Sequence, residues 1–159
     1  MSDTGIAKSA LRYAAGIYAD SFRPDSKRTP FVTHLSETAD LVKRAGGTEQ
    51  EIAAAWLHDL VEDGHTTVAD IKERFGAAIA ALVDAVSDPE HLRDQPIGVR
   101  KAKQALRLAA ASDGARRIKL AEQISILRAL AAERPLSWTV ERTINYIAGQ
   151  RVARMGGMA

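Results

Sequence analysis

Thr48-Glu49-Gln50-Glu51-Ile52-Ala53-Ala54-Ala55-Trp56-Leu57-His58-Asp59-Leu60-Val61-Glu62-Asp63 is the stretch from which the rest of the chain is read. It opens after Gly46-Gly47, a helix stop. Thr48 with Glu51 three residues on is the capping-box pattern, in which each side chain takes a backbone N–H that the helix start leaves unpaired. The alanine-rich apolar segment that follows predicts a helix over 48–58. Continued as a helix, the run sets His58 against Glu62 and Asp59 against Asp63 at i,i+4, so all four side chains crowd one side. One imidazole among three carboxylates leaves an excess of negative charge that a divalent cation relieves. The run therefore reads as a metal site with acid–base groups beside it. A solvated acidic helix end is the ordinary alternative, but His58-Asp59 directly follows Ala54-Ala55-Trp56-Leu57, where the apolar face is still running toward the core.

Outward from that segment, Gly, Pro and Asp punctuate further apolar periodicity, and no strand ladder is visible. Helices are expected over about 4–20, 34–45, 48–58, 67–75, 77–87, 99–112, 115–133 and 137–154. The fold class is all-α, a bundle of about eight helices, and 159 residues suit one domain, 1–159. The first few residues and 155–159, with Gly156-Gly157, are expected to fray. Residues 88–98 hold two prolines and a glycine and read as a surface loop or mobile flap.

Composition removes several classes of function. With 22 basic and 20 acidic residues the net charge is +2, so no global field argues for a nucleic-acid polymer as partner. Without cysteine, metal ligands must be His or carboxylate, and disulfides and a Cys nucleophile are excluded. No stretch approaches the length of a membrane span and the N-terminus lacks a signal-peptide pattern, so a soluble cytoplasmic protein is expected.

Three segments carry more specificity together than apart: Thr29-Pro30-Phe31-Val32-Thr33-His34-Leu35, then His58-Asp59-Leu60-Val61-Glu62-Asp63, then Lys119-Leu120-Ala121-Glu122-Gln123-Ile124-Ser125-Ile126-Leu127-Arg128. In this order on an all-α background the chain resembles the HD-domain metal-dependent phosphohydrolases, in particular the (p)ppGpp hydrolase domain of RelA/SpoT enzymes and the small metazoan SpoT homologues. The resemblance covers nearly the whole chain, with Phe75-Gly76 and Val140-Glu141-Arg142 with Tyr146 also familial. It implies an HD-type bundle and an enzyme that removes the 3′-pyrophosphate of a pyrophosphorylated guanine nucleotide. It also implies roles by position. His34, His58, Asp59 and Glu122 would hold a divalent metal, Mn²⁺ by resemblance, with Fe²⁺ and Zn²⁺ equally suited to an imidazole–carboxylate set. Glu62 and Asp63 would handle the attacking water, and Arg23, Lys27 and Lys119 would contact substrate. A homodimer is compatible with the chain. Two positions depart from the family: Glu122 stands where it has Asp, and Ile126 where it has a nucleotide-contacting Asn. The second departure motivates one alternative, an HD phosphohydrolase acting on another nucleotide or phosphoester, and the first motivates another, a non-catalytic sensor that binds a nucleotide or alarmone.

Other residues read more plainly. His65 is expected to be a solvated loop residue, and Trp56 and Trp138 are expected to pack in the core. Arg28, Arg116 and Arg117 would add to a positive rim, although surface charge is the commoner use. Arg100, Lys101 and Lys103 read first as a charged helix start. Leu120, Ala121 and Ile124 are expected to keep an apolar face around Glu122.

Overall fold

Helix α3 (Glu49–Leu57) lies at the centre of the molecule because Ala53, Ala54 and Ala55 are small and fully buried, beside Leu57. With nothing beyond Cβ on these residues, neighbouring backbones approach closely. Helices α1 (Asp3–Ile17), α2 (Val32–Arg44), α5 (Ala77–Val86) and α7 (Asp113–Ala132) all pack on it. The first answers with its own small residues, Ala10 and Ala14, while Leu35, Val42, Ile79, Val83 and Ile118 fill the remaining space. Helix α4 (Val68–Phe75) covers α5, and α6 (Ile97–Ala109) pairs with α8 (Val140–Met158), reaching the rest through α5 and α7. The structure, a computed structural model, describes residues 3–158, and the side chains of 3–4 and 152–158 are outside it. The fraying expected at both ends falls largely on that margin. Among the described residues the fold is all-α as expected, with eight α-helices, a short 3-10 turn at Glu90–Leu92 and a single isolated bridge, Phe22 to Pro30. Among the described residues no helix is long and apolar enough to cross a membrane.

The helix starts that sequence marks are where local chemistry puts them. Thr48 and Glu51 form the capping box of α3, and Thr67 and Asp70 form that of α4. Gly46, at φ +80°, closes α2 in a left-handed conformation that a side chain would strain, and the N–H groups of Gly46 and Gly47 bond back to Lys43 and Val42.

Several expectations are corrected. The run 58–63 does not continue α3. The helix ends at Leu57 with His58 as its C-cap, and the chain goes on in turns, Leu60 N–H bonding to Leu57, Asp63 to Asp59 and His65 to Leu60. Three carboxylates at the negative end of a helix dipole oppose its extension. Helix α7 begins at Asp113, two residues early, because the Ser112 hydroxyl caps it by accepting from Ala115 N–H. Residues 88–98 are anchored rather than a free flap. Leu92 is buried, Asp88 is held by Arg100 and Gln104, and Arg93 donates to the Val61 carbonyl. Of the residues expected to keep an apolar face around Glu122, Ala121 lies in the core, whereas Ile124 is 42 % exposed.

Candidate metal centre and active site

The loop before α2 and the end of α3 bring their histidines face to face. Phe31, packed on Tyr18 with ring centres 4.7 Å apart, fixes the entry into α2 and seats His34 on its first turn. His34 Nε2 lies 3.3 Å from His58 Nε2 and 3.4 Å from Asp59 Oδ2, and His58 Nε2 lies 3.2 Å from the same oxygen. The other ring nitrogens are engaged: His58 Nδ1 is 2.6 Å from the Ala55 carbonyl, to which it can only donate, and His34 Nδ1 is 2.9 Å from Ser125 Oγ. His58 therefore turns its Nε2 lone pair inward, toward a second imidazole nitrogen and a carboxylate oxygen. Such a buried, electron-rich triangle is relieved by positive charge at its centre, a proton or a metal ion. Two imidazoles and one carboxylate fit a divalent transition metal. The same excess of lone pairs shows in the protonation of the groups: burial pulls His58 down, but Asp59 and then Glu122 more than offset it, and its pKa is pushed up to about 9. Burial works against the Asp59 carboxylate too, yet His58 and His34 hold it well below the usual range.

Of the four expected ligands, then, three are brought together, and among the described residues they form the one group within metal-binding reach. Glu122 is turned to the Lys119 ammonium, 2.6 Å from its Oε2, on the previous turn of α7. Lys119 is itself buried, donates to the Val86 carbonyl at 3.3 Å, and is held charged because Glu122 and Glu62 outweigh its burial. Burial would raise Glu122, but Lys119 and His58 keep its pKa low. Glu62 accepts from the Asp88 N–H and Asp63 from the Tyr18 hydroxyl at 2.6 Å. Burial raises both carboxylates above their ordinary values. His65 is exposed as expected, though its ring stands edge-on to Tyr18 at 5.1 Å.

Two cavities meet at this cluster. One, about 620 Å³, runs from His34, Asp59, Glu62 and Asp63 to Arg23 and Lys27, along an apolar wall of Phe31, Ile126, Leu130 and Pro135. Arg23 Nε is buried on its side without a hydrogen-bond partner. The other, about 530 Å³, is lined by Arg100, Lys101, Lys119 and Arg142. Glu62, Glu122, Trp138 and Tyr146 border both. Three cations expected at the rim are elsewhere: Arg28 stacks on Phe22, Arg116 pairs with Asp113, and Arg117 pairs with Glu51. Arg100 and Lys101 do reach the site. Trp138 is half-buried on the cavity wall, not in the core, with Arg142 over its ring at 4.6 Å and Tyr146 against it at 5.1 Å. The Trp138, Arg142, Tyr146 spacing of four was the signal for this wall. Burial pushes the Tyr146 phenol up to about 12.

A bundle of this form, with paired histidines and an Asp between two of its helices, belongs to the HD domain family, whose family model matches residues 10–147. The chain is similar to guanosine-3′,5′-bis(diphosphate) 3′-pyrophosphohydrolase MESH1 of Drosophila melanogaster, 35 % identical over 138 residues that cover 86 % of this chain and 75 % of the relative. It is 32 % identical to the human MESH1 over 139 residues, 86 % of this chain and 76 % of that one. A solved structure described as a metazoan ortholog of SpoT that hydrolyzes ppGpp superposes with a TM-score of 0.87 at 30 % identity, over 96 % of this chain and 85 % of its own.

Proposed function

We propose that this chain is a metal-dependent guanosine-3′,5′-bis(diphosphate) 3′-pyrophosphohydrolase, acting in the cytoplasm as one HD domain with Mn²⁺ as its metal. The observation that carries the reading is the His34, His58, Asp59 triangle with Glu62 and Asp63 beside it, set where an apolar-walled cavity meets a basic one. The similarity to MESH1 hydrolases supports the substrate.

The basic chamber suits phosphate oxygens, through Lys101, Lys119 and Arg142, and the other cavity suits a nucleoside, with Arg23 and Lys27 at its far end. A divalent ion held by the histidines and Asp59 supplies Lewis-acid charge and makes water more acidic. The remaining chemistry belongs to the chain. Tyr18 occupies Asp63 Oδ2, leaving Oδ1 to take a proton from water as its oxygen adds to the 3′ phosphorus. Glu62, its Oε1 held by the Asp88 N–H, has Oε2 free to orient that water. The bond from phosphorus to the ribose 3′ oxygen breaks, that oxygen takes a proton from solvent water, Asp63 returns the proton it accepted to solvent, and GDP and pyrophosphate leave. Ile126 favours a second reading within the same chemistry, in which the base is held by its faces and another pyrophosphorylated nucleotide is the substrate.

The test is hydrolysis of ppGpp by metal-stripped protein with and without Mn²⁺, products followed by anion-exchange chromatography. Equal, metal-dependent release of GDP and pyrophosphate is expected. No release by protein shown to hold Mn²⁺ overturns the ppGpp reading, and a nucleotide panel then decides for or against the second.

A further inference from the structure

Behind His34 a chain of contacts runs out to the surface between α2 and α7. Ser125, fully buried, donates its hydroxyl proton to Glu37 Oε2 at 2.9 Å, and Glu37 Oε1 takes a hydrogen bond from the Arg128 guanidinium at 2.9 Å. Glu37 stands one turn after His34 on α2, and Arg128 one turn after Ser125 on α7. The two helices thus face each other through His34, Ser125, Glu37 and Arg128.

A serine hydroxyl has one proton, and an ionised carboxylate accepts only. With that proton committed to Glu37, Ser125 Oγ can only accept from His34, whose Nδ1 at 2.9 Å must then carry hydrogen. This leaves Nε2, the atom beside Asp59 and His58, with its lone pair free. Without Glu37 the hydroxyl is free to turn and donate to Nδ1, which favours the tautomer with hydrogen on Nε2, the form that cannot bind a metal.

We infer that Glu37 and Ser125 are positioning residues that lock His34 in its metal-binding tautomer, with Arg128 holding Glu37 in place from the surface. The inference rests on the metal-centre reading above, and it assigns a role to residues outside the HD ligand set. Outer partners of metal-bound histidines are worth about 10- to 100-fold in metal affinity.

The test uses the full chain, metal-free, and does not depend on turnover. Mn²⁺ binding is titrated by electron paramagnetic resonance, and long-range ¹H–¹⁵N spectra of the imidazoles report which nitrogen of His34 carries hydrogen. In Glu37→Ala and Ser125→Ala, Mn²⁺ affinity is expected to fall about 10- to 100-fold with the Nε2–H form of His34 appearing. Glu37→Gln, which keeps an acceptor for Ser125, is expected to stay near wild type in both readouts. Glu37 is part-exposed, so its substitutions leave folding intact if the buried Ser125→Ala does not. Unchanged affinity and an unchanged tautomer in Glu37→Ala overturn the inference. If the wild-type chain takes up no Mn²⁺, the metal reading falls instead, and the tautomer alone decides the relay.

Discussion

Glu62 shows how the site sets chemistry against stability. Burial raises its pKa, so the folded state holds the proton more tightly than the unfolded chain does. The stability linked to this group is complete below the ordinary carboxylate pKa and is lost as pH rises through the raised folded value. Glu62→Gln, neutral throughout, should be more stable than wild type by about 1 kcal/mol at neutral pH, the gap closing below about pH 4. The same change should lower kcat by about 100-fold, the cost of misplacing the water that Glu62 orients. Urea unfolding at two pH values and steady-state rates check both halves. Lys101 carries the opposite charge under a similar strain: 7 % exposed, its ammonium 3.4 Å from Gln104 Oε1, it is held below the usual lysine pKa by burial and then by Lys119. Lys101→Met is expected to add about 1 kcal/mol of stability at neutral pH, the gain shrinking as pH rises into the ordinary lysine range, while KM for a polyphosphorylated substrate rises. A loss of stability in that variant would show that the cation is better solvated by the cavity than its burial implies.

At the scale of elements, α7 is the part that orders the site, since Lys119, Glu122, Ser125 and Ile126 all project from it. Its start depends on one side chain. Ser112→Ala removes the N-cap and should cost about 1 kcal/mol. A matched fall in the denaturation midpoint without change in the denaturant slope would confirm a local loss. Elements were legible where the deciding contact is local in sequence. Thr48 with Glu51 and Thr67 with Asp70 each settle a helix start within four residues, and Gly46 settles a stop. In the run 58–63 apolar periodicity and the preceding alanines speak for extension of α3, whereas the carboxylates oppose it through the helix dipole, and the chain turns instead. For Trp138 the sequence shows the apolar bulk that suits a core and not the cavity that the side chain borders. That wall exists only once α8 lies across α6 and α7.

For the whole molecule, the metal is expected to act as a cross-link between α2 and the end of α3. Mn²⁺ at a hundred times its Kd should add about 2.7 kcal/mol, which for a chain of this size is a Tm rise of about 5–10 °C. Asp59→Asn should abolish the rise, and a chelator should reverse it in wild type; an equal rise in the variant would place the ion elsewhere. The ligand triangle itself could not be read from spacing, because His34 and His58 are 24 positions apart and meet only through the packing of two helices. Resemblance supplied that pairing. Neither spacing nor resemblance reached the contact of Ser125 with Glu37, which depends on the facing of α2 and α7. The three consecutive alanines of α3 carry a last consequence. They leave no slack between α3 and the helices packed on it, so a methyl or two added at Ala53, Ala54 or Ala55 should cost about 1–3 kcal/mol and shift His34 against the turn that carries His58 and Asp59. The segment least free to drift over generations is therefore the one with the least chemistry in it.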